Sequence, residues 1–149
     1  MRGRQLLRIL VHVSRFGLAA LFLFAVGAKL FTIRDFAANL SNLVAESWVW
    51  PAAFAVIAAE LLAAVLLIVP RTARLGALVS AALLLGFAAY ALYYVYVLRG
   101  EPLECGCFGR LIGSQLGVST ALRNLALLLP CALILFGRRA LNRTYTLDA

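Results

Sequence analysis

The chain has 149 residues, about one domain's worth, yet 64% of them are apolar and only 13% are charged. Ordinary soluble domains carry roughly 45–50% apolar and 25% charged residues, and so small a particle leaves too much surface exposed to hide the excess. A water-soluble fold is therefore excluded, as is disorder, and the solvent for this chain is a lipid bilayer. Fourteen Lys and Arg against six Asp and Glu give a net charge of +8. These cations punctuate apolar runs instead of gathering on one wet face, which argues against nucleic acid as a partner. A single His rules out a His-rich metal site, and three Cys cannot build a disulfide framework.

About 20 apolar residues cross a bilayer core as a helix, and four segments of this single domain, 1–149, qualify. The first spans about 13–32, behind Arg2, Arg4 and Arg8. Small residues at Val26-Gly27-Ala28 also give this start the form of a cleavable signal peptide. The apolar run continues past that point through Leu30 and Phe31, and its removal would send the arginine-rich tail outward, so retention is expected. In the connection that follows, Phe36, Leu40, Leu43 and Val44 fall on one helical face, with Asp35, Asn39, Asn42 and Glu46 on another. That pattern predicts a short helix lying in the membrane interface, anchored by Trp48 and Trp50.

The second span, 51–69, opens on Pro51, a residue suited to the first helical position. The third, 75–98, places Ala82 and Gly86, and Gly76 and Ser80, four apart for close helix packing. Near its outer end Tyr94 and Tyr96 fit an aromatic belt, and Tyr90 shares a face with Tyr94 that could wall a pocket. The fourth, 118–136, is expected to kink at Pro130. Cationic residues set the orientation: nine Arg lie on the N-terminal flank, second connection and tail, against three on the other two connections. The positive-inside rule then puts both termini in the cytoplasm and the third connection outside.

That connection carries Glu104-Cys105-Gly106-Cys107-Phe108-Gly109. A Gly between two thiols relaxes the limits that keep such close side chains apart. The closed ring restrains little of the unfolded chain and carries strain, and strained, exposed disulfides exchange readily. A metal site finds only Glu101 and Glu104 nearby, a poor match for two thiolates; a static disulfide closing the loop stays open as an alternative. Cys131, about 20 Å below the outer surface, cannot reach the pair and reads as packing.

Intramembrane charges default to function. Lys29 and Arg123 lie near span ends and could snorkel. Glu60, about 14 Å down the second span, cannot, and must be protonated or paired with Lys29 or Arg123. Asn124 adds a polar group beside Arg123.

Together these residues resemble the DoxX-like superfamily of four-span bacterial membrane proteins, and within it the methylamine-utilisation MauE family. The likeness runs through Arg15-Phe16-Gly17-Leu18, Gly27-Ala28-Lys29-Leu30, Phe36, Glu60, Cys105-Gly106-Cys107-Phe108-Gly109 and Arg123-Asn124. It implies a component of thiol–disulfide chemistry in the bacterial inner membrane, working with a periplasmic thioredoxin-like partner in maturing disulfide-rich proteins such as the methylamine dehydrogenase small subunit. The expected fold is an all-α membrane four-helix bundle with one interfacial helix. The expected site pairs Cys105 and Cys107 for exchange with Lys29, Glu60, Tyr90, Arg123 and Asn124 around a membrane quinone. Two other readings stand beside it: a non-catalytic subunit that docks a redox partner, and a small-molecule carrier with a structural Cys pair.

Overall fold

At membrane depth each backbone polar group must find its partner within the protein, so long apolar segments become helices. The computed structural model describes residues 2–98 and 118–145, and every regular element among them is helical. In chain order these are α1 (Arg2–Phe31), α2 (Ile33–Leu40), a 3-10 turn (Glu46–Trp48), α3 (Val49–Ile68), α4 (Ala73–Tyr96), α5 (Val118–Ala126) and α6 (Leu128–Tyr145). Four segments, 5–31, 46–68, 73–96 and 118–137, are long and apolar enough to cross a membrane.

The helices run up and down as a four-membered ring. α1 packs on α3 and α6, α3 on α4, and α4 on α5 and α6, while α2 folds back onto α3. One end of the bundle therefore holds α2 and the starts of α3 and α5; the other holds the turn between α3 and α4. Pro51 is the third residue of α3 instead of the first, still within the first turn, where no intrahelical acceptor awaits its missing N–H.

Glycine lets the far end close. A Cβ on Gly76 would lie 2.7 Å from the Leu67 nitrogen and 2.8 Å from the Leu66 carbonyl carbon, so α4 meets the end of α3 backbone to backbone. In the tight turn between them the Thr72 hydroxyl donates to the Leu66 carbonyl at 3.1 Å. Arg15, counted by sequence among the flanking charges, is buried instead. It donates from Nη2 to the Ile68 carbonyl at 3.3 Å, placing a cation on the last carbonyls of α3.

The fourth span is two helices. A proline ring clashes with the carbonyl four residues back and supplies no N–H to it; for Pro130 that residue is Ala126, where α5 ends. Cys131 sits at 1% exposure among Leu18, Phe22, Leu67 and Ile134, and is packing.

Candidate functional site

The buried charges meet because of how side chains leave a helix. Each Cα–Cβ bond tilts toward its helix's N-terminus. Lys29, near the end of α1, therefore aims inward along the bundle instead of snorkelling outward, while Glu60 on antiparallel α3 aims back toward it. Lys29 Nζ donates to Glu60 Oε1 at 2.7 Å, with both side chains at 1% exposure or less. The same ammonium lies 5.4 Å from the Phe36 ring centroid and 5.2 Å from that of Phe87, so aromatic faces supply further electrostatic support.

Asn124, at 2% exposure, lines a small cavity together with Glu60. Arg123 precedes it by one residue, about 100° round the helix, and is half-buried outside that cavity's lining. Tyr90 belongs to a different space. Its hydroxyl donates to the Asn39 carbonyl of α2 at 2.7 Å, and it walls a cavity of about 290 Å³ between α2, α3 and α4. Phe36, Val56, Gly86 and Phe87 line the same cavity, which is open on one side. Phe36 and Phe87 thus stand between this outer pocket and the ion pair.

The predicted residues therefore form an inner polar cluster and a separate outer pocket. Cys105 and Cys107 lie outside the described residues. Tyr94 is buried at 6% exposure against Tyr90, their ring centroids 6.4 Å apart, whereas Tyr93 and Tyr96 are exposed. The belt assignment of Tyr94 thus fails, because it faces the α5 side of α4 and packs with Ala88 and Ala121. The amphipathic segment is helical as expected, with Phe36 and Leu40 buried; Leu43 lies past the helix end and is exposed. Sequence reasoning missed Phe87, since an aromatic in an apolar span carries no signal of its own, and it read Gly86 as a close-packing position where the structure has it lining the cavity.

The family model for methylamine utilisation protein MauE matches residues 7–137. The chain belongs to the MauE family. The match takes in all four spans, so this MauE-family chain is a multi-pass membrane protein related to methylamine utilisation. No curated protein and no solved structure matches it.

Proposed function

We propose that the chain is the membrane component of a thiol–disulfide exchange system on the exoplasmic face of the bacterial inner membrane. Cys105 and Cys107 form the exchanging couple, a periplasmic thioredoxin-like protein is its soluble partner, and a membrane quinone is its second redox partner. Membership of the MauE family supports this reading, and so does the spacing of the two thiols around one Gly. The cytoplasmic placement of both termini follows from the arginine distribution.

The observation that carries the quinone partner is the cavity of about 290 Å³ under α2. Glu60 and Asn124 leave no room for a ring, for the cavity they border is only about 10 Å³, and Lys29 is already engaged by Glu60. The outer pocket has apolar and aromatic walls, an open side for a lipid-borne tail and the Tyr90 hydroxyl, which donates to the Asn39 carbonyl and keeps a lone pair that can accept from the hydroxyl of the reduced ring; such a site fits an uncharged ring. A bound quinone supplies a two-electron, two-proton acceptor. The dithiol of Cys105 and Cys107 gives up two electrons and two protons on closing its S–S bond, so the couple balances with no further reactant. Toward the soluble partner a thiolate attacks one sulfur of a disulfide and releases the other as a thiolate.

Replacing either thiol by Ser should abolish electron transfer and leave the remaining Cys able to trap the partner. After acid quenching, Cys105→Ser and Cys107→Ser should show a thiol-sensitive adduct on a non-reducing gel. Gly86→Leu, which fills the outer pocket, should block quinone reduction while sparing partner exchange. If neither Ser variant forms an adduct and both keep wild-type function, the pair is a structural feature and the proposal fails.

A further inference from the structure

Two residues on different helices, each with a buried polar atom that lacks a partner, line one small space. Lys29 satisfies Glu60 Oε1, but among the described residues neither Glu60 Oε2 nor Asn124 Nδ2 has a hydrogen-bond partner. Glu60 is 1% exposed and Asn124 2%. Both border a cavity of about 10 Å³ whose other walls are Leu21, Phe22, Ala25, Leu84 and Phe87. That volume is about one water probe, too small for any organic ligand. A metal cation there would lie next to the Lys29 ammonium, and an anion would lie next to the Glu60 carboxylate. The remaining occupant is a neutral molecule with one heavy atom that both donates and accepts.

We propose that the cavity binds a single ordered water, which donates to Glu60 Oε2 and accepts from Asn124 Nδ2. The geometry tolerates either orientation of the Asn124 amide, because water serves a carbonyl oxygen as readily as an N–H. This inference is independent of the redox reading. Its consequence is positional. α5 packs chiefly on α4, so the water ties α5 across the bundle to α3, and through Glu60 to Lys29 on α1. It thereby fixes the rotation and depth of the helix that starts immediately after residue 117.

Infrared spectra of the protein in lipid nanodiscs, recorded in H₂¹⁶O and H₂¹⁸O, test this. The wild type should show a narrow O–H stretching band that shifts with the oxygen isotope. Asn124→Leu, which removes one partner, should lose it. Ala25→Val, which fills the cavity and leaves both polar groups in place, should lose it too. A band that survives both substitutions, or is missing from the wild type, overturns the proposal. Where a variant does not fold, wild-type density at a resolution that shows ordered water decides. A peak within hydrogen-bond distance of both atoms supports the site, and direct Asn124–Glu60 contact refutes it.

Discussion

At the end of the bundle away from α2, α3 and α4 touch through backbone at Gly76, and alanines such as Ala63, Ala64 and Ala77 fill the seam with no exposed surface. At the α2 end the same two helices stand far enough apart to hold a cavity of about 290 Å³. There a Cβ on Gly86 would meet nothing within 4 Å. Ten residues separate these two glycines on one helix, and both looked like close-packing positions in the sequence. The difference lies in what faces them: the tightly turned end of α3 at Gly76, and the room kept open by α2 at Gly86. Helix–helix approach in this fold is set locally, by the connections as much as by small residues in the span.

The largest effect is expected at the buried ion pair between α1 and α3, in the looser half. Lys29→Met or Glu60→Leu leaves a buried charge without its partner, and each should lose about 3–5 kcal/mol. The double change should recover part of that loss, since an apolar pair removes both desolvation penalties. Unfolding in mild detergent across the double-mutant cycle measures the coupling, and strictly additive losses would count against it. A smaller effect is expected at the tight end. Gly76→Ala forces a Cβ against backbone atoms that cannot rotate away, at a cost of about 1–3 kcal/mol. The smallest change has the opposite sign. Gly86→Ala adds a methyl in open space and removes glycine's conformational freedom, so it should stabilise by about 0.5–1 kcal/mol. Equal losses at both glycines in thermal unfolding would erase the distinction between the two halves.

Much of the architecture could be read from local patterns. Apolar run lengths located the four spans, the i, i+4 pattern around Phe36 located α2, and Pro130 marked the break in the fourth span. Glu60 announced a partner because a carboxylate at mid-membrane cannot reach water. What escaped depends on which helices are neighbours. Hydropathy does not say that Phe36 from α2 and Phe87 from α4 would converge over Lys29, nor that they would separate Tyr90 from Glu60 and Asn124. Tyr94 failed for the same reason, since an aromatic near a span end suits an interface and a core equally well, and only the position of α5 decides. Arg15 was counted with the flanking charges because nothing in its own helix reveals that the last carbonyl of α3 lies beside it.

The break at Leu127 has a mechanical consequence. A continuous helix behaves as a stiff rod and carries twist along its full length, whereas two rods joined at a gap in the hydrogen-bond ladder do not. α5 begins where the segment bearing Cys105 and Cys107 ends, while Cys131 and Ile134 of α6 are locked in the core. Bending or twisting between α5 and α6 is therefore easier at this joint than within either helix.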